Sequence, residues 1–224
     1  MILTLYTEKY GRLVSMVNGV RSKKSRFPAI LFQPLSIVDS DFYFRQNREI
    51  QRIKEATCPI IYNSIPFNHS KSAIALFLSE VLYLSLREEE SNPVLFSFLM
   101  NSLQLLDTLD ERSVFFHHWF LLHLTRYLGY FPPVQLFDGS DIISSDIQTF
   151  TSLSTGASTA LRRIGNHAQG PPDLSDVSYK ERNELLEGII RYYSLHIDGF
   201  TRMKSLSVLQ EVFKTGSGDI RQKG

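Results

Sequence analysis

Cysteine is almost missing: Cys58 is the single one in 224 residues. No disulfide can close within the chain and no cysteine-built zinc site can form, so a stapled scaffold and a zinc ribbon are both excluded. Cys58 stands beside the apolar run PII, the setting of a buried, inert thiol. No apolar run approaches the length of a bilayer span. The opening MILTLYTEKYGR alternates like a strand and lacks a cleavage region, so it does not read as a signal peptide. A reducing cytoplasm is the expected compartment. Nucleotide and hydrolase motifs are missing too: there is no GxxxxGK[ST], no GxGxxG after a strand, no HExxH and no GxSxG elbow. HHWFLLH sets His117, His118 and His123 at offsets of one, five and six. A helical metal pair wants i, i+4, so satisfied or surface histidines are expected there. Glu88 to Glu90 read as a solvated helix end, fraying into a loop. These absences shift the weight toward a non-catalytic binding protein with no cofactor and no metal.

What is present is an uneven charge. The net charge is only +1. Residues 1–57 nevertheless carry ten Lys and Arg against five acids, net +5, while residues 58–224 carry fourteen against eighteen, net −4. Such an asymmetry suggests that one half meets a polyanion. The densest stretch is GVRSKKSRF, where Arg21, Lys23, Lys24 and Arg26 fall within six positions between two apolar runs.

The two halves also differ in period. ILTLYTE alternates Ile2, Thr4 and Tyr6 against Leu3 and Leu5, and KYG with Gly11 predicts a tight turn that tolerates positive φ. RLVSMVNGV alternates next. AILFQPLSIVDSDFYFR reads as a long β-rich run broken or bulged at Pro34. Gln46 to Arg48 suggest a hairpin turn, and EIQRIKEAT places Arg52 and Lys54 on one face. Short strands between turn signals predict a small all-β barrel or sandwich over residues 1–63. Residues 64–224 read as helices: SKSAIALFLSEVLYLSLREEE with Ser70 as N-cap, PVLFSFLMNSLQLLDTL with Pro93 in its first turn, SVFFHHWFLLHLTRYLGY stopping at Gly129, YKERNELLEGIIRYYSLHI ending at Gly199, and MKSLSVLQEVF. Several are apolar on more than one face, as in a buried bundle. Residues 138–178 form an irregular insert with room for a short hairpin and the short helix STALRRIG. The tail TGSGDIRQKG is expected to fray. The fold class is therefore α+β, a β domain followed by an all-α domain.

These pieces, in this order, resemble the RecO family of recombination mediators. LYTEKYGRLVSMVNGVRSKKSR is similar to the family's strand ending in YTE, its GR turn and its Lys-rich loop. ALFLSEVLYLSLREEESNPVLFSFL looks like the family's first two helices, RYLGYFP like the end of its long central helix, and GFTRMKSLSVL like its last helix, with Lys204 and Ser205 in the matching places. EKYGR and the HIDGF…MKSLSVLQEVF wording look most like Bacteroidetes members. The resemblance implies an N-terminal OB-fold followed by a helical domain. It further implies binding to single- and double-stranded DNA, annealing without ATP, binding to the C-terminal tail of the single-strand binding protein SSB, and work with RecR in loading RecA, all in the cytoplasm near the nucleoid. Two departures stand out. Relatives usually begin with one more strand, and an OB barrel needs five where about four are counted here. Either the chain starts late or its barrel closes differently. Some relatives also carry a four-cysteine zinc module, whereas residues 138–161 hold no cysteine. Arginines often stand where this chain has His118 and Trp119.

Flexible cations on a loop suit phosphates of any sequence. Arg21, Lys23, Lys24 and Arg26 are therefore the first DNA-binding candidates, with Arg12, Arg45, Arg48, Arg52 and Lys54 extending the track. Tyr43 and Phe44 offer stacking surface, with at least one expected in the core. The acidic SSB tail, which the resemblance implies ends in Phe, needs an apolar slot rimmed by cations. Arg126, Arg162, Arg163, Arg202 and Lys204, near helix ends, are the candidates. RecR is expected on the β side, with no residue singled out. The alternatives are a protein-interaction adaptor with a degenerate OB module and an RNA-binding module.

Overall fold

Alternation in the first half folds into one four-stranded sheet: β1 (Ile2–Thr7), β2 (Gly11–Met16), β3 (Asp39–Tyr43) and β4 (Ile50–Thr57), in the order β1-β2-β4-β3. This is a computed structural model, and it describes residues 1–20, 27–45, 47–110, 114–133, 148–200 and 203–219. β1 and β2 form an antiparallel hairpin, β2 and β4 run parallel, and β3 and β4 are antiparallel with a bulge at Asp41/Phe42. The first hairpin turns through Gly11 at φ +62, as the sequence predicts, and Thr7 Oγ accepts from Tyr10 N at 3.0 Å. Leu3, Leu5 and Phe42 pack inward on a small cluster of Val17, Phe27 and Ile53.

The long β-rich run after the basic loop is shorter than expected. Ala29–Phe32 is a 3₁₀ helix between Pro28 and Pro34, and pairing begins only at Asp39. Prolines at both ends deprive the segment of ladder donors, and Leu35 turns through φ +62. Ile37 is buried and Leu31, Phe32 and Leu35 are half-buried, while Ile30 stays exposed.

The helices are α1 (His69–Ser85), α2 (Pro93–Thr108), α3 (Phe116–Tyr127), the short α4 (Gln148–Thr151), α5 (Thr155–Asn166), α6 (Tyr179–His196) and α7 (Ser205–Asp219). The first begins earlier than expected, because Asn68, not Ser70, is its N-cap and accepts from Lys71 N at 3.1 Å. Pro93 opens α2 behind the cap Asn92, and Ser178 with Glu181 forms a capping box on α6. α7 continues past Phe213 to Asp219, into the stretch expected to fray. Of the insert, residues 138–147 lie outside the described residues; the remainder supplies α4 and α5, the latter covering the predicted STALRRIG helix.

α3 is the axis of the helical core, buried on every face from Phe116 to Thr125. Its three histidines are buried, not at the surface. His118 Nε2 donates to Arg182 O at 2.9 Å and His123 Nε2 to Ile164 O at 3.1 Å. Burial lowers both to about 4, so they stay neutral. Among the described residues no group of three metal-ligating side chains comes together. Cys58 is half-buried and its thiol donates to Ile60 O at 3.1 Å.

Two joints fasten the sheet to the helices. At the first, Asp107 on α2 gathers the linker from β4: its carboxylate accepts from the amides of Asn63 (2.8 Å), Ser64 (2.8 Å) and Ile65 (2.9 Å). Burial pushes that carboxyl up, but the amides outweigh it and hold it below the ordinary range. The buried Lys71 ammonium donates to Ser64 Oγ at 2.7 Å and Asp107 O at 2.9 Å. At the second, the α1–α2 loop docks on the β1–β2 turn. Arg12 N donates to Glu88 O at 2.9 Å and Ser91 Oγ to Glu8 O at 2.8 Å. A Cβ at Gly11 would collide with the Glu90 and Glu88 carbonyl oxygens. The Glu88–Glu90 stretch is thus pinned by its backbone rather than frayed, while its side chains stay exposed.

Candidate nucleic-acid interface

The strand period divides the sheet into two faces. One lies on the small core. The other meets solvent, and strand register arranges it in rows. Ile2 pairs with Met16, Met16 with Arg52, and Arg52 with Tyr43, so one row crosses all four strands. Each member is exposed: Ile2 by 64%, Met16 by 39%, Tyr43 by 58%, and Arg52 likewise. A second row runs Ile50, Val14, Thr4. Arg52 has no carboxylate partner among the described residues. Lys54 shares the exposed side of β4 but lies 3.9 Å from Asp41, an exposed pair that dilutes its charge without adding much stability.

Arg45 and Arg48 sit at the β3–β4 tip, exposed. The tip is held from inside by Gln51, a buried polar residue on the inward side of β4. Its Oε1 accepts from Arg45 N at 2.8 Å, and its Nε2 donates to Arg45 O at 2.9 Å and Arg48 O at 2.7 Å. Sequence reasoning missed Gln51; the signal was a polar side chain at an inward position of an alternating strand. The parallel β2·β4 register brings this tip beside the β1–β2 turn, where Phe44 stacks on Tyr10 with centroids 4.6 Å apart. Neither Tyr43 nor Phe44 is a core residue, which corrects the expectation that at least one would be. The bulge at Asp41/Phe42 makes Phe42 the inward ring.

Arg12, expected on the DNA-binding track, reaches the end of α1. Its Nη1 donates to Tyr83 O at 3.2 Å and Leu86 O at 2.9 Å, and its guanidinium lies 4.8 Å from the Tyr83 ring centroid. A cation there satisfies orphan carbonyls at the α1 C-terminus and offsets its dipole. Arg21, Lys23, Lys24 and Arg26 lie outside the described residues; the chain leaves for them at Val20 and returns at Phe27, both packed on the small sheet core.

The described helical candidates each have their own surroundings. Arg126 lies 3.7 Å from the Phe131 ring centroid. Arg163 Nη1 donates to both carboxylate oxygens of Asp176 at 2.8 and 2.9 Å, and its Nη2 donates to Asp173 O. Arg162 is exposed on α5. Lys204 stands far along the chain at the start of α7, where its amide donates to Glu80 of α1 at 3.1 Å. Arg202 lies outside the described residues. No helix among the described residues is long and apolar enough to cross a membrane.

Comparison with known proteins agrees with this architecture. Residues 1–59 match the family model described as Recombination protein O N terminal, and residues 67–135 the one described as Recombination protein O C terminal. The chain is 37% identical over 224 residues to DNA repair protein RecO of Bacteroides fragilis, covering 95% of this chain and 91% of that protein. It is 33% identical to the RecO of Phocaeicola vulgatus, again over 95% and 91%. With that of Flavobacterium johnsoniae it shares 36% over 86% of this chain and 82% of the relative.

Proposed function

The chain belongs to the RecO family of DNA repair proteins, and from that premise we propose that it is a recombination mediator which binds single- and double-stranded DNA and anneals complementary strands without ATP. The observation that carries the reading is the solvent face of the sheet, where Arg52, with no carboxylate partner among the described residues, and the exposed Arg45 and Arg48 stand in the half of net charge +5. The loop cations Arg21, Lys23, Lys24 and Arg26 extend that charge. Annealing asks for little chemistry. Phosphates on two polyanions must be neutralised, and the bases must stay free to pair, so base-specific contacts would hinder it. No nucleotide is hydrolysed and no catalytic residue is needed. Residues 1–63 act as the DNA-facing unit and residues 64–224 as the unit that meets proteins: the acidic SSB tail at helix-end cations, then RecR, and through it RecA.

Binding to a single strand is expected to be salt-sensitive. With about four phosphates contacted, log K against log salt should slope near −3. The direct test is annealing of complementary strands coated with cognate SSB, without ATP, by the parent and by a variant with Arg21, Lys23, Lys24 and Arg26 changed to alanine. Fast annealing by the parent and its loss in the variant support the proposal. Equal rates with and without the parent contradict it.

A further inference from the structure

We propose that the row Tyr43–Arg52–Met16–Ile2 is a platform for unpaired bases, with Tyr43 as the stacking residue that lets this sheet tell a single strand from a duplex. The inference rests on the DNA-binding reading above and adds to it a ligand class and a residue. Cations alone cannot make that distinction, because phosphates are present on both forms.

Scattered exposed apolar residues are ordinary on a protein surface. Here they are not scattered. Register sets Ile2, Met16 and Tyr43 in one line across four strands with Arg52 between them, and Ile50 stands one row away. Tyr43 makes no ring contact among the described residues, in contrast to Phe44, which already stacks on Tyr10 at an interplanar angle of 13°. A ring more than half exposed on the face of a strand offers a π-surface to any base. Arg52 is its direct cross-strand neighbour, so a guanidinium lies within reach of the phosphate that follows a stacked base, or of the base plane itself. Met16 and Ile2 continue the row as apolar surface on which a further base can lie. In a duplex the bases are stacked on each other and their faces are closed, so the row has nothing to grip.

Inward alternatives for Tyr43 fail on geometry. Moving it to the core face would need a one-residue slip of β3, which the bulge at Asp41/Phe42 and the Gln51 staple both oppose.

The test measures affinity for a mixed-sequence single-stranded 30-mer and for the matching duplex by fluorescence anisotropy, at several salt concentrations. Tyr43→Ala is expected to weaken single-strand binding about 5- to 100-fold while duplex affinity stays within about two-fold and the single-strand salt slope is unchanged. Tyr43→Phe is expected to keep single-strand affinity. Arg52→Ala is expected to weaken both ligands and to flatten the slope by about one phosphate's worth. Because Tyr43 is exposed, the variants should melt like the parent, and a thermal scan checks that. Single-strand affinity unchanged in Tyr43→Ala overturns the platform and leaves the row to a protein contact. So does an equal loss on both ligands. Failure of the parent to bind either DNA is a different result: it removes the DNA-binding reading and the platform with it.

Discussion

The sheet and the helical half place their apolar residues differently. The helical half builds a large core around α3, which is buried from Phe116 to Thr125, histidines included, and its exposed Leu76, Tyr83, Val94, Leu195 and Val208 are spread over α1, α2, α6 and α7. The sheet closes its inner face on Val17, Phe27 and Ile53 and leaves Ile2, Met16, Tyr43 and Ile50 in solvent on the other. A grouped apolar face in solvent is the kind of surface at which proteins bind something. The charge follows the same division, net +5 up to residue 57 and net −4 beyond. On the reading proposed above, the helical half is the scaffold and the sheet supplies the surface.

The largest expected effects fall on the joints that keep the two in register. Asp107→Ala leaves the amides of Asn63, Ser64 and Ile65 without their acceptor and strips a charge partner from buried Lys71. A loss of about 3–5 kcal/mol in urea unfolding is expected. If the two halves were independent, only the linker would loosen and the unfolding midpoint of the helices would not move.

Acid should separate the halves next. His118 and His123 have folded values near 4 against about 6.5 when unfolded. Between those values the unfolded chain takes up more protons. Stability from these groups is therefore complete above about pH 6.5 and is lost as pH falls toward 4. At pH 5 the expected loss is about 2 kcal/mol per histidine. Helical circular dichroism followed through thermal melts at pH 7 and pH 5 reads it. A melt independent of pH would mean that the histidines are not held neutral in the core. Replacing His118 with Gln should flatten the dependence.

A smaller effect is expected at the hairpin joint. Arg12→Ala removes two hydrogen bonds to the α1 C-terminus and the stack on Tyr83, for about 1–2 kcal/mol. DNA affinity measured beside it should change less than in Arg52→Ala. A larger loss of affinity in Arg12→Ala would return Arg12 to the DNA-binding track.

Period was the legible part. Two-residue alternation marked β1, β2 and β4, and 3.6-residue stripes with Pro93, Gly129 and Gly199 marked the helices, because backbone geometry writes those patterns directly into composition. The stretch 29–37 misled: a break or bulge at Pro34 was expected within a strand, but between Pro28 and Pro34 the chain forms a 3₁₀ turn and pairing starts only at Asp39. The candidate site was legible as charge but not as placement. Arg12 and Arg52 look alike in sequence, yet Arg12 contacts α1 while Arg52 has no carboxylate partner among the described residues. Gln51 left one signal, a polar side chain at an inward strand position, whereas Asp107 could not be foreseen from spacing, because its partners are backbone amides 42 to 44 residues away, brought near only by the tertiary fold. Tyr43 and Phe44 were read as stacking surface with at least one of them expected in the core, and a single bulge gave the inward place to Phe42 instead.

The division between surface and scaffold is tested most directly by comparing two sets of charge removals. One variant changes Arg45, Arg48 and Arg52 to alanine, the other Arg126, Arg162 and Lys204, and single-strand affinity is measured for both at fixed salt. The account predicts a loss of at least about tenfold, with a shallower salt slope, in the sheet variant and parent-like binding in the helical one. Equal losses in the two, or a larger loss in the helical variant, would contradict it.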